Sequence, residues 1–311
     1  MKMISGHKLA GASHKEKNTV CQDFYAYDIA GDIMVAAVAD GIGSNKHSDF
    51  ASETACTTAV SDCRGSIKPC MSENDILSAI FQSFDHAWRA VDEGARAKGY
   101  SVGECNTTLS LAVFIDGDVY FGQAGDSGIF AFHEDGTIMP LTVPQNTDEK
   151  NVVFPLSAGP GKWEFAKAPK KAVSVLLCTD GIWKMFFPKH LMYQKERHYV
   201  SLLAWYMDPE AIKAHSADQA YSSWLRSEME EINDNAPGAV DYDDITMLVM
   251  YDSEVAFTRQ GEEYYSSVPS KEDLEKANQL EYERLYGHLK GFNREGGPFG
   301  FIDAEERMGG V

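Results

Sequence analysis

Runs of almost unbroken apolar residues recur along the chain, and the clearest are Ile33 to Ala39, Val173 to Thr179 and Ile245 to Tyr251. Runs of this length and content predict core strands. Between Thr107 and Leu141 the pattern shortens into strands separated by Asp116-Gly117 and Asp135-Gly136, two hairpin signals. Helical spacing takes over elsewhere. Residues 48–63 place Phe50, Ala51, Thr54, Ala55 and Val60 on one face, as in a helix packed closely on a sheet. A second helix follows Ser72-Glu73-Asn74-Asp75, which reads as a capping box with Asp in place of Glu. Its Ile76, Ile80, Phe84 and Trp88 recur every fourth residue, with Leu77 and Phe81 beside them. Residues 190–207 and 209–234 are also expected to be helical, the latter opening at Pro209 and carrying Trp224, Leu225, Met229 and Ile232. Between these segments, residues 142–171 hold Pro155, Gly159, Pro160, Gly161 and Pro169 and read as a mobile flap.

The polar positions that interrupt this pattern carry the chemistry. Asp40 closes the Ile33 run and is followed by Gly41; Asp180 closes the Val173 run and is followed by Gly181. Asp126 lies in Gly125-Asp126-Ser127 inside another apolar ribbon, and Asp243 precedes Asp244-Ile245. Any one Asp-Gly is also an ordinary turn. Gathered by a sheet, however, the four carboxylates would repel one another unless cations sat between them. Hard oxygen ligands without His or Cys partners suit Mg²⁺ or Mn²⁺.

In order, Cys21-Gln22-Asp23, Val38-Ala39-Asp40-Gly41-Ile42-Gly43, Ala124-Gly125-Asp126-Ser127, Cys178-Thr179-Asp180-Gly181-Ile182-Trp183 and Asp243-Asp244-Ile245-Thr246 resemble the motif series of the metal-dependent protein phosphatases of type 2C, over about residues 5–251. The resemblance implies an α+β fold, a four-layer α/β/β/α sandwich of two antiparallel sheets flanked by helices. It also implies hydrolysis of phosphoserine and phosphothreonine in proteins by a water or hydroxide bridging two Mn²⁺ or Mg²⁺ ions. By the same resemblance Asp40 bridges both ions, Gly41 offers its carbonyl, Asp180 and Asp243 ligate, and Asp23 supports bound water. Asp126, with Asp180, holds a third and weaker ion. The series departs from the family pattern in four places. Gln22 stands where many members have Glu, Asp244 where Asn is usual, and Ile42 where animal enzymes have a His. The phosphate-binding arginine before Asp23 is absent, leaving His14, Lys15 and Lys17 as candidate cations, with His14 and Lys17 preferred. These departures keep a second reading open, a catalytically weak relative that binds phosphoprotein without turning it over.

Length and composition narrow the setting. The chain has 311 residues, 44% of them hydrophobic, enough for one large sandwich and an extension. A formal charge of −19 weighs against a nucleic-acid partner, since phosphate backbones attract Lys and Arg clusters. It suits basic phosphopeptides and phosphoprotein substrates of a serine/threonine kinase pathway. No apolar run has the length of a membrane span and no signal region is evident, so a cytoplasmic, monomeric protein is expected. The six cysteines form no CxxC pair and read as reduced thiols, with Cys56 and Cys63 close to one face of a helix. The catalytic domain is expected to span 1–251. Residues 252–311 form an acidic extension with 13 acidic and 7 basic residues and an expected helix over 271–289. Its Tyr264, Tyr265, Tyr282, Tyr286 and Phe292 weigh against complete disorder, and its role is open between docking, partner binding and flexibility.

Overall fold

The computed structural model describes residues 1–145, 153–186, 198–218, 220–235 and 243–266. Within them ten strands are β1 (Lys2–Leu9), β2 (Phe24–Ala30), β3 (Ile33–Ala39), β4 (Leu109–Ile115), β5 (Asp118–Ala124), β6 (Gly128–His133), β7 (Ile138–Pro140), β8 (Glu164–Lys167), β9 (Ala172–Cys178) and β10 (Ile245–Asp252). They form two antiparallel sheets, ordered β1-β10-β9-β6-β7 and β2-β3-β4-β5-β8.

The unbroken apolar runs follow from burial on both faces of these strands. Along β3, Met34, Ala36 and Val38 face the other sheet, where they meet Val175, Leu177, Leu248 and Met250. Ile33, Val35, Ala37 and Ala39 point the opposite way, into a cluster with α2 (Ser48–Ser66) and α3 (Glu73–Lys98). The other sheet turns Cys178, Met247 and Val249 outward against α4 (Asp180–Phe186), α5 (Val200–Met207), α6 (Pro209–Asp218) and α7 (Tyr221–Asn235). Together these layers form the expected four-layer α/β/β/α sandwich.

Local signals locate several boundaries. The β4–β5 hairpin turns through Asp116 and Gly117, at φ 50° and 88°, the left-handed pair of a two-residue turn. Ser72 caps α3 by accepting the Asp75 N–H at 3.3 Å. Its own hydroxyl donates to the Asp75 carboxylate at 2.7 Å, so the shorter Asp closes the box through the side chain. All six cysteines are free thiols, and Cys56 and Cys63 are both buried on α2.

Two expectations need correction. The single helix expected over 209–234 is two, α6 and α7, and His215 stacks on Trp224 with ring centroids 3.8 Å apart. In one straight helix those residues would be separated by about 13 Å of rise, so the chain must fold back between them. The segment expected to be a flap is tied down at several described points and includes β8. Gln145 exchanges hydrogen bonds with Gly125, the Leu156 N–H donates to the Thr107 carbonyl at 2.8 Å, and buried Trp163 donates to the Leu156 carbonyl at 3.0 Å. Residues 146–152, 190–197 and 271–289 lie outside the described residues.

Beyond β10 the chain crosses back over the first sheet. Phe257 packs edge-on against Phe132, Tyr265 of α8 (Glu262–Ser266) stacks on the same ring, and Arg259 pairs with buried Asp208. The start of the acidic extension is therefore part of the outer core. Among the described residues no helix is long and apolar enough to cross a membrane.

Candidate metal centre

Strand register brings the predicted residues to one end of the sandwich. In the second sheet Phe24 pairs with Ala39, Val38 with Ser110, and Leu109 with Ala124. In the first, Leu9 pairs with Ile245, while Cys178 pairs with both Met247 and Gly128. Asp23, Asp40 and Asp126 thus lie just outside strand ends, as do Asp180 and Asp243. Gly125-Asp126-Ser127 is the link by which the chain passes from one sheet to the other.

Electrostatics register the convergence. Burial pushes the Asp40 carboxyl well above the usual carboxylate range, and the charges of Asp23, Asp180, Asp243 and Asp126 push it the same way. Asp23 is pushed up to about 7, first by burial and then by the charge of Asp244, against hydrogen bonds that favour its anion. Both the Thr179 and Thr246 hydroxyls donate to its Oδ2 at 2.7 Å. Its Oδ1 is buried with no donor facing it. Asp40 lies within hydrogen-bonding reach of Asp23, and two carboxylates at that distance require a proton or a cation between them.

The backbone around these groups is tightly fixed. Thr108 Oγ1 accepts the Asp40 N–H at 2.8 Å, and the Thr107 hydroxyl donates to the Asp40 carbonyl at 2.8 Å. A Cβ at Gly41 would lie 2.7 Å from the Ser48 carbonyl oxygen, and one at Gly181 would lie 2.0 Å from that of Asp244. Only glycine permits these approaches. Trp183 of α4 donates its indole N–H to the Asp126 carbonyl.

Asp244 explains a departure from the motif series. Its buried carboxylate accepts the Gly11 N–H at 2.8 Å and the Gln22 N–H at 2.6 Å, and lies 2.7 Å from His14 Nδ1. His14 belongs to α1 (Ala12–Lys17), a six-residue helix. Lys15 faces outward, 3.5 Å from Asp234 with both side chains more than half exposed, and Lys17 is exposed. Lys8, not anticipated from the sequence, donates to the Asp23 carbonyl at 2.5 Å and lies over the Phe24 ring.

Among the described residues no group of three or more His, Cys, Asp or Glu side chains is arranged so that it could hold a metal ion. The donor chemistry nevertheless fits a hard divalent cation, with all-oxygen groups, mutually repelling carboxylates and an orphaned oxygen on Asp23.

Residues 10–226 match the family model described as Protein phosphatase 2C, a match that ends before Asp243. The chain therefore belongs to the protein phosphatase 2C family, whose members are serine/threonine phosphatases that generally use divalent metals. Solved structures agree on the fold. The S. agalactiae serine/threonine phosphatase superposes with a TM-score of 0.58 at 16% identity, covering 81% of this chain and 99% of that one. PppA of Pseudomonas aeruginosa gives 0.52 at 21% identity over 80% and 97% of the two chains. Stp1 of Staphylococcus aureus gives 0.54 at 11% identity over 81% and 96%. No curated protein matches the chain.

Proposed function

We propose that this protein hydrolyses phosphoserine and phosphothreonine in phosphoprotein substrates, using two Mn²⁺ or Mg²⁺ ions at the strand ends. The observation that carries this reading is the pressure of four carboxylates on Asp40 at one rim of the sandwich. Asp40, the Gly41 carbonyl, Asp180 and Asp243 hold the pair of ions, and Asp126 with Asp180 holds a third, weaker one. When bound, such ions supply positive charge to the transferring oxygens and an activated water.

The remaining work belongs to the chain. Thr179 and Thr246 turn Oδ2 of Asp23 inward, which leaves Oδ1 as the acceptor that orients the attacking water. Thr107 and Thr108 clamp the backbone of Asp40, so its carboxylate is positioned before substrate arrives. His14 and Lys17 contact the phosphoryl group of the substrate. The domain acts as a monomer inside the cell, within a serine/threonine kinase pathway.

The test is phosphate release from a phosphothreonine peptide and an aryl phosphate, with Mn²⁺, Mg²⁺ or chelator, in wild type and Asp180→Asn. Metal-dependent release that Asp180→Asn abolishes is expected. Peptide binding without release by metal-loaded wild type would instead identify a phosphoprotein-binding relative.

A further inference from the structure

The Asp244 carboxylate, beside the candidate metal centre, turns both oxygens toward the amino-terminal segment. Oδ1 takes the Gly11 N–H and lies 2.7 Å from His14 Nδ1, while Oδ2 takes the Gln22 N–H. It is therefore committed to residues 11–22, although its chain neighbour is Asp243 and Gln22 precedes Asp23. The imidazole it holds is mostly covered, with 13% of the side chain exposed. A carboxylate at Nδ1 fixes the plane of the ring and leaves Nε2 as the working nitrogen. Nε2 has no hydrogen bond to a described residue, yet it is not among the buried unsatisfied atoms, so it reaches solvent.

We infer that Asp244 and His14 form a dyad, with Asp244 as the positioning residue and His14 Nε2 as the atom that meets an oxygen of the substrate's phosphate monoester. This rests on the phosphatase reading above. In its charged form the ring donates from both nitrogens, one to Asp244 and the other to the phosphoryl oxygen, a charge-assisted contact. Lys15 lies 3.5 Å from Asp234 and Lys17 is exposed, so His14 is the basic residue of that segment tied to Asp244. The aspartate at 244 is, on this view, the counterpart of a histidine serving where an arginine is absent. It is not surplus negative charge.

The experiment measures kcat and KM for a phosphothreonine peptide at saturating Mn²⁺ with full-length wild type, His14→Asn, Asp244→Asn and the double variant. The Asn amide keeps a donor where Nδ1 stands but supplies nothing at Nε2, so it preserves the tie to Asp244 and removes the proposed contact. His14→Asn is expected to raise KM about tenfold or more, the loss of one charge-assisted hydrogen bond. Asp244→Asn should raise KM by a similar factor, with the double variant no worse than either. Tm and the calorimetric Mn²⁺ affinity of His14→Asn should stay at wild-type values. An unchanged KM in His14→Asn, or effects that multiply in the double variant, would overturn the dyad and leave Asp244 as a strut for residues 11–22. If wild type releases no phosphate, the phosphatase reading fails. The calorimetric Kd of the same peptide across the four proteins then decides the dyad, tenfold weaker binding in the variants supporting it and equal binding refuting it.

Discussion

Asp23 is 1% exposed and buries a carboxylate whose hydrogen-bond donors are the Thr179 and Thr246 hydroxyls. Removing one of its donors leaves an acceptor uncompensated, which generally costs more than the bond itself contributes. Thr246→Val, nearly isosteric, should therefore lower unfolding free energy by about 1–3 kcal/mol in urea titrations and weaken calorimetric Mn²⁺ binding. Thr246→Ser should restore most of both. Gly181→Ala forces a methyl group onto the Asp244 carbonyl and must displace either Asp180 or the Asp243-Asp244 pair. Turnover is expected to fall by at least tenfold; near wild-type kcat/KM would show that this approach is not needed for the site.

The strand-end placement of the candidate aspartates was legible in sequence because they stand at or beside apolar runs. Their supports were not. Thr179 and Thr246 lie 156 and 223 residues from Asp23, and His14 lies 230 from Asp244. Ordinary threonines and one histidine carry no local mark of a partner so distant; only the sheet pairing supplies it.

At the scale of elements, hydrophobic period was a good guide wherever both faces of an element are buried. β3 and β10 were readable almost to their ends, and α3 was marked by both its cap and its four-residue stripe. The pattern failed at the α6–α7 fold-back, because two short helices facing one cluster look like a single longer stripe. It also failed at α1, a six-residue helix held by Asp244 with no buried residue of its own. Burial between the sheets makes register expensive to disturb. Leu177, fully buried there, should lose about 2–5 kcal/mol on replacement by Ala. Denaturant unfolding would read this, and a loss below 1 kcal/mol would contradict the packing described.

For the molecule as a whole, the strap over residues 253–266 belongs with the core. Truncation after Asp252 should expose Phe132 and leave Asp208 without its guanidinium partner, lowering Tm by several degrees. An unchanged Tm would make the strap dispensable. Beneath it, His133 is fully buried, and burial lowers its pKa despite its contact with the Lys171 carbonyl. The folded protein thus takes this proton at lower pH than the unfolded chain, whose His titrates near about 6.5. The contribution of His133 is complete above that value and declines as pH falls below it. His133→Gln should flatten the slope of stability against pH just below about 6.5; an identical slope would assign the effect elsewhere.

The acidic rim draws Asp23 and Asp40 from one sheet and Asp180 and Asp243 from the other, with the apolar layer between the sheets ending beneath it. A cation seated among them would work as a rivet across a seam that side-chain packing and the Thr179 and Thr246 hydrogen bonds to Asp23 otherwise hold shut. Metal loading would then set how readily the two halves part at that end, and amide exchange at the last residues of β3 and β9 would serve as a gauge of occupancy that needs no substrate.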